Sequence, residues 1–116
     1  MKVVIVGAGF GGLGTATCLS ETLGRDVDVT LIDKSDSFVF GYAKLDIMFG
    51  RTKPDAIHFP YRASAKSGVT FKQEIVTSLD PGAKRVATDK ATYDADILVV
   101  ALGADYDVSA TPGLAE

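Results

Sequence analysis

The sequence opens with Lys2-Val-Val-Ile-Val-Gly-Ala-Gly-Phe-Gly-Gly12, and this stretch decides the fold. The apolar run at its start has no alternating polar residues, which is typical of a parallel strand buried on both faces. The glycines fit the pattern G-x-G-x-x-G, a helix-forming stretch covers residues 11–23, and residues 27–32 are again rich in β-branched side chains. This order of strand, glycine turn, helix and strand predicts a right-handed βαβ unit.

Each glycine of the motif has a physical role in binding a dinucleotide. Gly7 permits the sharp turn out of the strand, Gly9 lets a pyrophosphate reach the backbone, and Gly12 lets the helix pack closely. The free N–H groups at the helix N-terminus, where the helix dipole is positive, then face the diphosphate. The loop residues predicted to bind are Gly7, Ala8, Gly9, Phe10, Gly11 and Gly12.

Asp33 ends the second predicted strand, twenty-one positions after Gly12. At this spacing a carboxylate accepts hydrogen bonds from both ribose hydroxyls of an adenosine. It would repel a 2′-phosphate, so NADP is disfavoured, and Lys34 beside it is included in the predicted site. In the structural alternative the glycines only close a turn, and replacing Gly9 would then leave every ligand affinity unchanged.

The first predicted helix carries an apolar stripe of Leu13, Ala16, Leu19 and Leu23, and Gly24 ends it. Residues 34–54 read mostly as loop with a short helical piece, and residues 107–116 as an irregular tail. The remaining predicted elements are a helix over 60–66, a strand over 69–71, a hairpin of 75–79 and 84–88 around a type II turn at Asp80-Pro81-Gly82, and a buried strand over 96–102.

The composition excludes several classes of protein. The chain has 116 residues and a net charge of −3, with no basic cluster, which argues against nucleic acid as a partner. Its longest apolar run, residues 97–102, is too short to span a membrane, and the N-terminus does not resemble a signal peptide. A cytoplasmic location is therefore expected. Cys18 and His58 are single residues of their kind, so neither an internal disulfide nor a metal site is expected.

A second motif identifies the nucleotide. Tyr93-Asp94, the apolar strand after it and Ala101-Leu102-Gly103 resemble the second FAD fingerprint of the two-dinucleotide-binding flavoproteins, with Leu102 where threonine is usual. The resemblance implies an α/β, Rossmann-like parallel sheet with a β-meander, and FAD as cofactor. It implies that Ala101, Leu102 and Gly103 line the flavin side. It also implies that the hairpin is that β-meander, with the backbone of Ile75 and Val76 facing the adenine.

Within that superfamily, residues 30–40 resemble the sulfide:quinone oxidoreductase and type II NADH dehydrogenase branch. Residues 34–60 hold no cysteine pair, so disulfide reductase chemistry is disfavoured. The resemblance implies that the segment reaching Lys44 passes near the isoalloxazine, where a cation could stabilise a reduced flavin; an ordinary surface lysine is the alternative we favour. It also implies small-molecule electron partners, sulfide or NADH as donor and a quinone as acceptor.

Members of this family are several hundred residues long, so we expect residues 1–116 to be the N-terminal portion of an FAD-binding domain. Further chain would carry the NADH and quinone sites and any contact with the inner face of a membrane. The unpaired edge of the last strand predicts self-association of the piece alone. The alternative function is a stand-alone NAD- or ADP-binding module without redox turnover, which would be colourless where a flavoprotein is yellow.

Overall fold

The computed structural model describes residues 1–64 and 66–114, and its centre is a four-stranded parallel sheet. The strand order is β5-β2-β1-β9, which is the order at the centre of a Rossmann sheet. The helix α1 connects β1 to β2, so the predicted βαβ unit is confirmed. The bounds are β1 Lys2–Val6, α1 Phe10–Leu23, β2 Asp28–Asp33, β5 Val69–Gln73 and β9 Ile97–Val100.

The second layer is an antiparallel meander of β6 (Val76–Asp80), β7 (Arg85–Thr88) and β8 (Thr92–Asp94). It adds a third strand to the predicted hairpin and confirms the β-meander. The two faces of the parallel sheet are covered differently. Val3 and Ile5 pack on the side of α1, whereas Val4 and Val6 pack against Val86 of the meander. This alternation explains why β1 is apolar at every position after Lys2.

The segment between β2 and β5 consists of short elements at the surface. The strands β3 (Ser37–Val39) and β4 (His58–Pro60) form a two-stranded antiparallel sheet, and the helix α2 (Ala43–Met48) lies between them in the chain. The predicted loop with a short helical piece is therefore accurate in outline, although the β3–β4 pairing was not predicted. Short 3₁₀ turns cover Gly24–Asp26, Pro54–Ile57, Tyr61–Ser64 and Val108–Ala110.

The predicted helix over residues 60–66 is wrong. Pro60 ends β4, and the helical part is only the 3₁₀ turn Tyr61–Ser64, while residue 65 lies outside the described residues. Gly68 has a left-handed φ of 73°, and its carbonyl oxygen accepts a hydrogen bond from the N–H of Val29, so the chain enters β5 directly. Tyr61 packs its ring on Phe71 with centroids 4.8 Å apart, which gives the turn its buried anchor.

The predicted turn type between β6 and β7 is also wrong. A type II turn needs a positive φ at Gly82, but the left-handed residue of this loop is Lys84, with φ of 51°. The N–H of Ala83 donates to Oδ1 of Asp80 at 2.9 Å and closes the loop. The aspartate side chain thus determines the loop conformation more than the Pro-Gly pair does.

The buried face of α1 differs from the predicted leucine stripe. Its buried residues are Gly12, Ala16 and Ser20, while Leu23 is exposed and Leu13 and Leu19 are only partly buried at the flanks. Small residues at the centre let the helix lie close to the sheet. As predicted, Gly24 ends the helix, and its φ is positive, at 55°.

The strand β9 is shorter than the predicted 96–102 and pairs with β1. In the described part of the chain it forms one edge of the sheet, and Ile97, Val100 and Leu102 are exposed there. The described residues 107–114 contain one exposed 3₁₀ turn, and the last two residues of the predicted tail lie outside the described part. No described helix is both long and apolar enough to cross a membrane.

Candidate functional site

An open cleft of about 630 Å³ lies where the carboxyl ends of β1 and β2 meet the free edge of β6. In open α/β sheets, ligands bind outside the carboxyl ends of the strands. One wall is the loop between β1 and α1 with the residues after β9; the other is the start of the meander. The cleft is lined by Val6, Gly7, Gly9, Ile32, Asp33, Lys34, Glu74, Ile75, Val76, Thr77, Ser78, Leu79, Ala101 and Leu102.

The three motif glycines have different surroundings. Gly7 has a left-handed φ of 97°, and a Cβ there would lie against the carbonyl oxygen of Ala101, far inside the 3.0 Å that Cβ atoms keep from other heavy atoms. A Cβ on Gly12 would collide with the carbonyl oxygen of Gly7. Gly9 has extended backbone, and apart from its chain neighbours no heavy atom of the described residues lies within 4 Å of its Cβ position. The protein itself fills the space at Gly7 and Gly12, whereas the space at Gly9 is open to a ligand.

The N-terminus of α1 points its amides at this open space. Gly9 is the N-cap residue, no side chain caps the helix, and its first turn contains no acidic residue. The N–H groups of the first turn have no partner within a helix, and the N-terminal end of the dipole is positive. The loop therefore offers unpaired donors and partial positive charge beside Gly9, which suits a diphosphate.

Asp33 connects the end of β2 to the glycine loop. Its Oδ2 accepts a hydrogen bond from the N–H of Ala8 at 2.7 Å, and its Oδ1 accepts one from the N–H of Ser35 at 2.8 Å. An ionised carboxylate has about four acceptor sites on its two oxygens. The half-buried Asp33 thus retains acceptor capacity toward the cleft that it lines.

The free edge of β6 presents the backbone of Val76. Ile75 donates its N–H to Oδ1 of Asp89 at 2.8 Å and accepts from the N–H of Asp89 at 2.9 Å, so both of its backbone groups point toward β7. Backbone groups alternate in direction along a strand, and Val76 is paired in register with Thr88. The register shifts only beyond Val76, before Ser78, so by this alternation we expect the N–H and C=O of Val76, which lines the cleft, to point away from β7.

Glu74 is the functional candidate that the sequence analysis missed. Its side chain is only 8% exposed, although it lines the cleft. It accepts a hydrogen bond from Oγ1 of Thr88 at 2.6 Å, and the hydroxyl of Tyr93 lies 2.9 Å from one of its oxygens and 3.0 Å from the other. Burial, together with this carboxylate, raises the pKa of Tyr93 to about 12. A glutamate between two strands gives no sequence signal of burial.

Six of the predicted site residues lie outside the cleft lining. Ala8 is fully buried beneath the loop, Gly11 and Gly12 belong to the first turn of α1, and Gly103 has a left-handed φ of 71° just beyond the cleft. Phe10 is 68% exposed and starts a row of aromatic rings with Phe38, Phe40 and Tyr42. Lys44 is exposed on α2 and is not brought to the cleft.

A second cavity, of about 530 Å³, lies between α1 and β5, where Leu13, Ala16, Tyr61 and Phe71 line it. It contains no motif glycine and no residue of the predicted site. It is therefore an alternative location for a ligand, and a binding experiment can distinguish it from the first cleft.

Comparison with known proteins agrees with this geometry. The family model described as "Pyridine nucleotide-disulphide oxidoreductase" matches residues 1–116. The chain is 37% identical over 117 residues to a type II NADH:quinone oxidoreductase of Staphylococcus epidermidis, covering 99% of this chain and 29% of the relative. The chain thus spans less than a third of that relative's length.

Two solved structures have a similar fold. The sulfide:quinone oxidoreductase of Aquifex aeolicus has a TM-score of 0.77 and 31% identity, covering 90% of this chain and 24% of that one. The NDH2 of Plasmodium falciparum has a TM-score of 0.76 and 20% identity, covering 99% of this chain and 24% of that one. The second likeness shows the shared fold alone, because its identity is low.

Proposed function

The chain belongs to the pyridine nucleotide-disulphide oxidoreductase family, and from this premise we propose that its cleft binds the ADP half of FAD. The observation that carries the proposal is the open space at Gly9. Gly9 lies between two glycines, Gly7 and Gly12, at which the protein's own packing leaves no room for a side chain, yet within residues 1–64 and 66–114 no atom beyond its chain neighbours lies within 4 Å of its Cβ position. A backbone kept bare beside an uncapped helix N-terminus is what close approach of a diphosphate needs.

In this proposal the ribose hydroxyls donate to Asp33 and the adenine edge meets Val76. An adenine carries an acceptor nitrogen beside a donor amino group, and these complement the N–H and C=O of a single strand residue. Ile75 cannot serve in this way because Asp89 already occupies its backbone groups. The base contact therefore belongs to Val76, and Ile75 contributes side-chain surface to the cleft.

The flavin would extend beyond Ala101 and Leu102, which line the end of the cleft beside the glycine loop. The bound flavin supplies the redox chemistry, and the protein supplies binding and orientation. Gly103, in its left-handed conformation, lets the chain leave β9 near this point. A role for Lys44 near the isoalloxazine stays a prediction, since it is exposed on α2.

For the whole protein we propose electron transfer to a quinone, with NADH or sulfide as the donor. The support is the similarity to a type II NADH:quinone oxidoreductase and to a sulfide:quinone oxidoreductase. The single cysteine of the sequence, Cys18, is exposed and has no second cysteine to pair with, so this part of the chain holds no redox disulfide. Peripheral contact with a membrane is part of the same proposal.

The second candidate function is binding of NAD or ADP without a flavin. One observation supports this candidate: the contacts proposed at Gly9, Asp33 and Val76 all involve an ADP moiety, which FAD and NAD share. The difference between the two ligands lies beyond Ala101 and Leu102.

The absorption spectrum of the purified full chain, with chromatography of the nucleotide released by denaturation, tests the proposal. The expected result is a yellow protein, as isolated or after addition of FAD, that releases FAD. A colourless protein that binds NAD or ADP would support the second candidate. A protein that binds no adenine nucleotide contradicts both.

A further inference from the structure

Glu74 joins the two parts of the cleft that we propose to hold the adenosine. It follows β5 directly, and one residue, Ile75, separates it from β6. It therefore lies where the chain leaves the parallel sheet for the meander. We infer that Glu74 is a positioning residue for the adenosine half of the site, holding the base-facing edge of β6 at a fixed distance from the ribose acceptor Asp33. This inference rests on the proposed function.

The first connection runs through the backbone. The N–H of Glu74 donates to the carbonyl oxygen of Asp33 at 3.0 Å, which extends the pairing of β2 with β5 by one residue. The residue whose carboxylate would hold the ribose is thus bonded directly to Glu74. Any displacement of Glu74 moves the end of β2 with it.

The second connection runs through the side chain. Its carboxylate accepts from the hydroxyls of Thr88 on β7 and Tyr93 on β8, so two of the three strands of the meander are hydrogen-bonded to the residue that precedes the meander. Thr88 is the register partner of Val76, whose backbone would meet the base. The path from ribose acceptor to base edge therefore consists of Asp33, Glu74, Thr88 and Val76.

The charge of Glu74 is part of this arrangement. Within residues 1–64 and 66–114 no lysine or arginine forms a salt bridge with it, and its side-chain partners are two neutral hydroxyls. Hydroxyl donors form shorter and stronger hydrogen bonds to an ionised acceptor than to a neutral one. A carboxylate with two such donors fixes its neighbours more firmly than an amide of the same shape would.

The experiment uses Glu74→Gln in the full chain, with Glu21→Gln as the matched control because Glu21 is exposed and distant from the cleft. Two probes are titrated by calorimetry or NMR: ADP, which would contact both walls, and inorganic pyrophosphate, which would contact only the glycine loop. Glu74→Gln is expected to weaken ADP binding about tenfold and to change pyrophosphate binding less than about twofold. Glu21→Gln should bind both probes as the unaltered protein does.

Tyr93→Phe distinguishes a positioning role of Glu74 from direct contact between Glu74 and the ligand. It is also the variant to measure if Glu74→Gln does not fold. It removes one donor to the carboxylate and should also weaken ADP, and the two substitutions together should cost less than the product of their separate effects. Unchanged ADP affinity in Glu74→Gln, equal loss for both probes, or full affinity in Tyr93→Phe each overturns the inference. All titrations use protein from which any FAD has been removed, and absence of ADP binding by the unaltered protein in that form overturns the proposed function itself.

Discussion

The two walls of the cleft are built in different ways. The glycine-loop wall is made mainly by backbone packed on backbone, with Gly12 against Gly7 and Gly7 against Ala101. One polar side chain, Asp33, accepts a hydrogen bond from this loop. The meander wall is held by side chains. The carboxylate of Asp89 accepts a hydrogen bond from the N–H of Ile75, and the carboxylate of Glu74 accepts hydrogen bonds from the hydroxyls of Thr88 and Tyr93. At Gly7 and Gly12 the first wall has no space for an added atom, whereas the second wall depends on polar groups that can be altered singly.

This difference separates the expected consequences of substitution. Changes in the glycine-loop wall should destabilise the fold, except at Gly9, where they should affect only the ligand. Changes in the meander wall should alter the position of the edge of β6 while the parallel sheet stays folded. Stability and affinity are therefore measured together for every variant below.

The largest effect is expected for Gly12→Ala. The new Cβ would collide with the backbone carbonyl of Gly7, which cannot move without displacing the loop, so we expect a loss of about 3 kcal/mol in the free energy of unfolding. Gly14→Ala is the matched control on the same helix, because nothing lies within 4 Å of its Cβ position. Urea unfolding should show Gly14→Ala gaining about 0.5–1 kcal/mol. Equal stability of the two variants would contradict the close packing described for this wall.

In contrast to Gly12→Ala, Gly9→Val should weaken ligand binding and leave stability nearly unchanged. The extended backbone at Gly9 accepts any residue and its surroundings are open, so the unfolding free energy should change by less than about 1 kcal/mol. The added side chain fills the space proposed for the diphosphate, and the ADP dissociation constant should rise more than about tenfold. Calorimetric titration checks this, with Gly14→Ala expected to bind ADP normally. An unaltered affinity would mean that the glycines only close a turn.

Asp33→Asn should weaken ADP binding about tenfold, because a charged acceptor for the ribose hydroxyls becomes neutral. The asparagine keeps one oxygen for the N–H of Ala8 and loses the acceptor for the exposed N–H of Ser35, which water can replace, so the fold should persist. Discrimination against an adenosine diphosphate carrying a 2′-phosphate should decrease at the same time. Asp28→Asn, at the opposite end of β2, is the control and should leave both ligands unaffected. If Asp33→Asn still discriminates against the 2′-phosphate, the ribose hydroxyls do not contact Asp33.

The smallest effect concerns the pH dependence of stability through Tyr93. Its pKa is raised to about 12 by burial and by Glu74, against 10.0 for an ordinary tyrosine. Between pH 10 and 12 the unfolded chain has lost this proton while the folded chain retains it, so stability falls as the pH rises. Urea unfolding at pH 9 and 11 should show a smaller drop for Tyr93→Phe than for the unaltered protein. Tyr106→Phe, at an exposed site, should leave the drop unchanged.

The sequence predicted the glycine-loop wall in detail because its features are local. A run of β-branched residues, a glycine motif and an acid at a fixed spacing each have one structural meaning, and the strands at 2–6, 27–32 and 96–102 were found with small errors at their ends. The β-meander and the family resemblance were confirmed as well. The cleft also contains eight of the fourteen predicted site residues.

The features that the sequence did not predict depend on contacts between distant residues. Glu74 is buried only because Thr88 and Tyr93, fourteen and nineteen positions away, provide its partners. The buried face of α1 is set by how closely the sheet approaches, which favours Gly12, Ala16 and Ser20 over the leucines. Local propensity contains none of this information.

The most direct test of the account is an amide-resolved NMR titration of the full chain with ADP. With any bound FAD removed beforehand, the account predicts chemical-shift changes concentrated at Gly9, Phe10, Gly11, Asp33 and Val76, with Val69 and Phe71 in the second cavity unaffected. Changes concentrated at that second cavity, or no saturable change at all, would contradict the claim that this cleft is the nucleotide site.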